Sequence, residues 1–325
     1  MDKRGQGEQF NWLFVLIAGA IILSIFTIFT FKYIGIQQQR QNAQLGRTLG
    51  ENIHLLEASG TKSYYIDDSQ FKLGVTTDLA FTCTDDRFTL SVNKNFQQKI
   101  QNEVVFAAAH TSLSSLDAWI YSWDYPYFIV NMIYLADPHN TYYFIYDSGS
   151  KQFVQDLDFP EIFTTTKQDK NLPILAKGSK KATIIYFTHP TKRDIQQLHT
   201  TFEEASVLSV NTQQEEVTFY DEKGETTGTV PYYGDALLYG AIFSNSLENY
   251  QCSIKRSLQR FKRITTLYAN KALLLNQATT NPACSYTTLH QQLLHYATTF
   301  EHERNTETLT HANEELGGKG CPTVF

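Results

Sequence analysis

The sequence predicts an α+β protein. It has an N-terminal transmembrane helix, a β-rich domain built on a mixed sheet with covering helices, and a C-terminal antiparallel helical hairpin. Three observations carry that expectation. An uncharged run of 22 residues, Phe10–Phe31, stands near the start. Short segments dense in Tyr, Phe, Val and Thr fill the middle, the composition of strands. The last third bears two stripes of apolar residues at helical spacing.

Phe10–Phe31 makes roughly 33 Å of helix at about 1.5 Å per residue, enough for a hydrocarbon core of about 30 Å. Trp12 and Tyr33 lie near its ends, where amphipathic rings favour the headgroups, and Lys32 snorkels outward. A cleavable signal has a shorter apolar region and a small-residue cleavage site. This run leaves through Phe31-Lys32-Tyr33-Ile34, so it is expected to stay attached. The expected layout is a cytoplasmic tail over 1–9, the transmembrane helix over 10–33, a helical stalk over 34–58, an α/β ectodomain over 59–233 and the hairpin over 234–325.

Flanking charge is nearly balanced, with Lys3 and Arg4 before the run and Lys32, Arg40 and Arg47 after it. The positive-inside rule therefore leaves orientation open. The cysteines break the tie. Cys83, Cys252, Cys284 and Cys321 lack C-x-x-C spacing and fit disulfides in an oxidising compartment. The body is accordingly expected outside the cytoplasm at the cell membrane, with the lipid bilayer as partner of residues 10–33 and an envelope protein as a second. A net charge of -6 gives no basic footprint, which argues against nucleic acid. Lys3-Arg4-Gly5-Gln6 before an apolar helix resembles the processing site of archaeal type IV pilin-like proteins, cut after the glycine. It implies a filament or secretion-system subunit as an alternative, although Glu8 then falls at position three of the processed chain instead of five.

In the stalk, Leu45, Leu49, Ile53 and Leu56 share helical spacing, which predicts a helix lying down on the domain. Beyond it, "SYYID", "LAFTC", "RFTLSV", "EVVFAA", "YFIVNMIYLAD" and "TYYFIYD" read as strands, with Asp137-Pro138-His139-Asn140 as a turn. "ATIIYFT" reads as a buried strand, and "PTKRDIQQLHTTFEEA" as an amphipathic helix with Pro190 just inside its start. "VLSVN" and "EVTFYD" follow as strands. One strand–helix–strand unit among many strands is an α+β signature.

The segment from Gly234 to Ala278 carries Ile254, Leu258, Phe261, Tyr268, Ala272 and Leu275 on one stripe. Pro282 breaks it, and Leu289, Leu293, Tyr296, Phe300, Leu309, Ala312 and Leu316 form a second stripe, stopped by Gly317-Gly318. Two long helices with a short loop make a hairpin. Cys252 and Cys284 then lie at opposite ends of the first helix, roughly 40 Å apart, too far for a bond needing Cα atoms within about 7 Å. Cys321, returning to the open end, is expected to pair with Cys252, and Cys83 with Cys284 if the tip reaches the sheet.

"KRGQGEQFNWLFVLIAGAIIL" and "YGDALLYGAIFSNSLENYQCSIKR" together resemble a family of uncharacterised single-pass membrane proteins of small-genome archaea. The resemblance implies an N-terminal anchor, an α/β body and a Cys-containing helical tail, and transfers no activity or catalytic residues.

Motifs for chemistry are sparse. His290 and His295 miss the i,i+4 spacing of helical metal ligands, and "FEHERN" lacks the second histidine of H-E-x-x-H. No metal site and no cofactor is expected. G-x-S-x-G, P-loop and G-x-G-x-x-G patterns are absent from the sequence, and the chain reads as an envelope protein of structural or interaction role. The most site-like spot is "FTHPTKRD", where His189, Lys192, Arg193 and Asp194 cluster between a strand and a helix. α/β sheets bind ligands at such places, so an anchored ligand-binding sensor or hydrolase is the other alternative. The aromatic run from Asp117 to Tyr127 is expected to pack between stalk and sheet, and "KGSKK" at 177–181 to form a surface loop.

Overall fold

The computed structural model describes residues 4–58, 63–64, 70–84, 87–172, 180–300 and 306–325. Parts of "SYYID", "KGSKK" and "FEHERN", and Lys3, lie outside the described residues. The first element is helix α1 (Arg4–Ala58). Strands β1 (Ser63–Tyr64), β2 (Gln70–Thr84), β3 (Arg87–Val92), β4 (Phe96–Ile100), β5 (Val104–Ala107), β6 (His110–Asp124) and β7 (Phe128–Ala136) follow. Next come β8 (Asn140–Tyr146), α2 (Lys151–Asp156), β9 (Thr164–Asp169), β10 (Lys181–Tyr186), α3 (Lys192–Thr201), β11 (Glu204–Asn211), β12 (Glu216–Tyr220) and β13 (Thr226–Pro231). The chain ends with α4 (Gly234–Ser244), α5 (Leu247–Ala278), α6 (Thr287–Thr299) and α7 (Glu307–Gly318). The fold is α+β, as expected.

α1 runs 55 residues without interruption. Its large apolar side chains from Trp12 to Ile36 are exposed. Among the described residues it is the one helix long and apolar enough to cross a membrane. Its second half behaves as the stalk spacing predicts: Leu49, Ile53 and Leu56 are buried against Leu79, Phe81, Phe88, Leu90 and Val92 of the first sheet.

That sheet has the order β4-β3-β2-β6-β7-β5, with β1 paired to β6 beside β2. All pairs are antiparallel except β5 with β7. Its outermost strands, β4 and β5, are joined by only Gln101, Asn102 and Glu103. A flat sheet would set them about 24 Å apart at about 4.8 Å per strand, whereas that link reaches about 14 Å. The sheet must therefore curl until its edges approach, and the stalk packs against one of its faces. The start of α5 bridges β2 and β5. Asn249 Nδ2 donates to the carbonyls of Phe81 and Ala107 (2.9 and 3.4 Å), and Ser253 Oγ donates to Val105 O (2.6 Å). These buried side chains satisfy carbonyls that a bare strand edge would leave unpaired.

The second sheet, β13-β12-β11-β10-β8-β9, is parallel from β11 to β9 and antiparallel at β12 and β13. The expected strand–helix–strand unit is β10-α3-β11, and β8-α2-β9 is another. Between the two sheets lies α4, which is buried all round from Ala236 to Ser244. Such a helix has no polar face to show to water. Its Tyr239 and Phe243 meet Trp119 and Tyr134 of the first sheet, and Phe243 meets Tyr142 of the second. Gly240 permits the approach, since a Cβ there would lie 2.6 Å from the Phe106 ring.

Several expectations are corrected. The aromatic run from Asp117 falls largely in β6, and Trp119 and Trp123 face α4 and α5, not the stalk. Pro190 precedes the α3 N-cap, Thr191, instead of lying inside the helix. The first C-terminal helix is two helices: Asn245 adopts a left-handed conformation (φ 43°), and Ser246 caps α5 by accepting from Asn249 N–H. The hairpin is α5 against α6, but the second arm does not continue. α7 turns back, so Asn313 binds the backbone of Val324, and Tyr286, at the hairpin tip, donates to Pro322 O (2.8 Å).

That return overturns the expected Cys252–Cys321 and Cys83–Cys284 pairs. The disulfides are Cys83–Cys252, with Cα atoms 6.0 Å apart, and Cys284–Cys321, with Cα atoms 5.6 Å apart. Cys252 and Cys284 belong to different bonds, as the length of helix between them requires. The folding back of α7 carries Cys321 to the tip, and the Asn249 contact to Phe81 sets Cys252 beside β2.

Candidate functional site

The carboxyl ends of the parallel strands hold the expected strand–helix corner. β8 has β9 on one side and β10 on the other. The helix after β8 buries Val154 in the central core, while the helix after β10 buries Ile195 and Leu198 on the opposite face. The strands run parallel, but the connection from β8 leads to β9 on one side and the next strand, β10, lies on the other, and such a switch point opens a crevice where α/β sheets bind ligands. Here the crevice is a groove of about 610 Å³ lined by Asp147, Lys170, His189, Ser209, Asn211 and Tyr220 among others. A neighbouring groove of about 300 Å³ shares Lys170 and His189 and reaches Asp194.

The four expected site residues separate in role. Asp194 closes a capping box on α3: its carboxylate accepts from Thr191 N–H (3.0 Å) and Thr191 Oγ (2.7 Å), while Asp194 N–H donates to Thr191 Oγ. Lys192 is paired with Glu225 of the β12–β13 turn. Arg193 is exposed on the first turn of α3. His189, also exposed, lines both grooves.

Facing it, the Asp147 carboxylate accepts from Ser150 N–H (3.1 Å), Gly149 N–H (3.0 Å) and Ser150 Oγ (3.0 Å), with Lys170 Nζ at 3.5 Å. The Ser150 N–H, above all, holds this carboxyl below the usual range. Ser209 Oγ and Tyr220 OH share a hydrogen bond of 3.0 Å. The groove is polar and open. It offers hydrogen bonds to a small hydrophilic ligand.

A second cluster joins residues that no sequence motif links. It forms where the last turn of α1, the β4–β5 link and α5 converge. His54 Nδ1 lies 2.7 Å from Glu103 Oε1, and ligand atoms of His54, Glu57 and Glu103 all fall within 4.8 Å of one another. Glu103 Oε2 accepts from Asn102 N–H (3.1 Å), and Glu57 Oε1 faces Arg260 Nη2 at 3.8 Å. Arg256 Nη2 donates to Gln101 O (2.9 Å), bracing the link itself.

Burial raises the Glu57 carboxyl, with nearby Glu103 adding to the rise against the pull of Arg260. Burial works in the same direction on Glu103, but hydrogen bonds from the backbone and His54 outweigh it and hold that carboxyl low. The one local signal is His54-x-x-Glu57, which places both side chains on one face of a helix. Glu103 is distant in sequence.

Compared with family models, curated proteins and solved structures, the chain matches none.

Proposed function

We propose that this chain is a single-pass membrane protein whose body stands outside the cytoplasm and serves a structural or interaction role at the cell envelope. The observation that carries the reading is the continuity of α1. One unbroken helix has an exposed apolar half and a half packed into the first sheet. Water penalises the seventeen exposed large apolar side chains from Trp12 to Ile36 heavily, and a bilayer does not. Asn42, where burial begins, lies only six positions after Ile36, the last side chain of the exposed apolar run, a rise of about 9 Å. The body then rests against the membrane surface instead of swinging on a tether.

Two disulfides support an oxidising compartment. Fractionation of cells without detergent tests the anchor, and the protein should sediment with membranes. Protease added to intact cells tests the side, and it should reach the body without lysis. Recovery of the full chain as a soluble species would end the proposal.

A second reading, a pilin-like filament subunit, draws on the same helix, because an exposed apolar rod packs equally well against copies of itself. Sequencing of the N-terminus of the membrane-derived protein separates the two. A chain beginning at Gln6 favours the filament subunit, and an unprocessed chain favours the anchor.

A further inference from the structure

We propose that His54, Glu57 and Glu103 form a binding site for a zinc-like divalent transition-metal ion that fastens the stalk to the body. The geometry meets the requirements of such a site. Three ligand atoms converge from two elements within 4.8 Å. A tetrahedral ion at about 2.0–2.1 Å from each ligand sets ligand atoms about 3.3 Å apart. The 2.7 Å His54–Glu103 approach must therefore open slightly, and the widest spacing must close. His54 can move, since its side chain is 66% exposed.

Outer partners orient both carboxylates. Asn102 N–H holds Glu103 Oε2 and Arg260 faces Glu57 Oε1, leaving one oxygen of each for the centre, as second-sphere groups do in metal sites. The Glu103 side chain is 9% exposed and that of Glu57 16%. A cation between them relieves the repulsion of two largely buried like charges. Both α1 ligands sit in the last two turns of the helix, where its dipole is negative and favours a cation.

The ligand chemistry selects the ion. One imidazole nitrogen with two carboxylates suits zinc and its neighbours. Calcium takes about six to eight oxygens, more than this cluster supplies. The solvent-facing side, where His54 is exposed, leaves a fourth position to water. On binding, the ion takes the place of the hydrogen between His54 Nδ1 and Glu103 Oε1, and the neutral imidazole carries its N–H on Nε2.

The test is isothermal titration of ZnCl2 into the detergent-solubilised full chain, purified through a histidine-free tag, with MgCl2 in a parallel arm. The expected result is one Zn2+ per chain, no saturable Mg2+ binding, and a melting temperature that rises with Zn2+. His54→Gln and Glu103→Gln should each weaken Zn2+ binding at least tenfold. His54→Gln changes an exposed side chain, and its unchanged melting without metal would show that it is folded. Absence of saturable Zn2+ binding overturns the proposal. So does binding that both variants leave intact, or a melting temperature indifferent to Zn2+.

Discussion

Breaking the Cys83–Cys252 disulfide is expected to cost more stability than breaking Cys284–Cys321. The first bond ties β2 to the start of α5 across 169 residues, and the second ties the hairpin tip to the chain after α7 across 37. A cross-link removes open conformations from the unfolded chain, and the effect grows with the logarithm of the loop it closes. Those separations correspond to about 5 and about 4 kcal/mol, with a difference of about 1.3 kcal/mol. The native contacts argue in the same direction. Asn249 and Ser253, which flank Cys252, bond to β2 and β5, so loss of the longer bond loosens the site where sheet and helix meet. The assay compares Cys83→Ala/Cys252→Ala with Cys284→Ala/Cys321→Ala by urea unfolding of the full chain in one detergent. Fluorescence of the buried Trp119 and Trp123 reports the transition. Both midpoints should fall, the first further. Peptide mapping without reductant precedes it, because a Cys252–Cys321 peptide would remove the premise. Equal midpoints, or a larger loss from the shorter loop, would refute the reasoning from loop length.

Ile53→Ala empties a site that is 1% exposed beneath the stalk and should cost about 3 kcal/mol. Leu55→Ala, on the exposed face two residues on, should stay within about 0.5 kcal/mol, and thermal melting compares the two. Asp194→Ala and Thr191→Ala should each lose about 1 kcal/mol as broken caps, whereas His189→Ala should leave melting unchanged, which separates the structural members of that corner from its groove-lining one. Lys181 contacts Asp137 at 3.0 Å and Glu204 at 3.1 Å, and the Asp137 side chain is 8% exposed. Lys181→Met strands that carboxylate and should cost about 2 kcal/mol. Burial alone would lower the Lys181 ammonium, but its bonds to both carboxylates outweigh burial and raise it. A raised lysine contributes in full below the ordinary lysine range and fades only above it, so the deficit should be flat between about pH 6 and about pH 9. Urea titrations at both pH values check this.

The sequence by itself determined the features that local pattern encodes. An uncharged run of membrane length, stalk leucines one helical turn apart and runs of β-branched and aromatic residues specify α1 and many of the strands, because each signal lies within a dozen or so neighbouring residues. β6 was less legible: its first half, His110–Ser115, is mostly polar, yet it pairs along β2. The all-round apolarity of α4 merged with the stripe of α5, and a single left-handed residue, Asn245, parts them.

Only the tertiary structure decided which cysteines meet, since pairing depends on α7 folding back to the hairpin tip. It also decided that the sheet curls until a three-residue link spans its edges, and that Glu103 arrives beside His54 and Glu57. Of the expected corner, the strand-to-helix position was readable, as was the Thr191-x-x-Asp194 spacing of its cap, but the pairing of Lys192 with Glu225 was not. These are encounters between residues far apart in the chain, set by how whole elements pack, and no spacing rule along the sequence carries them.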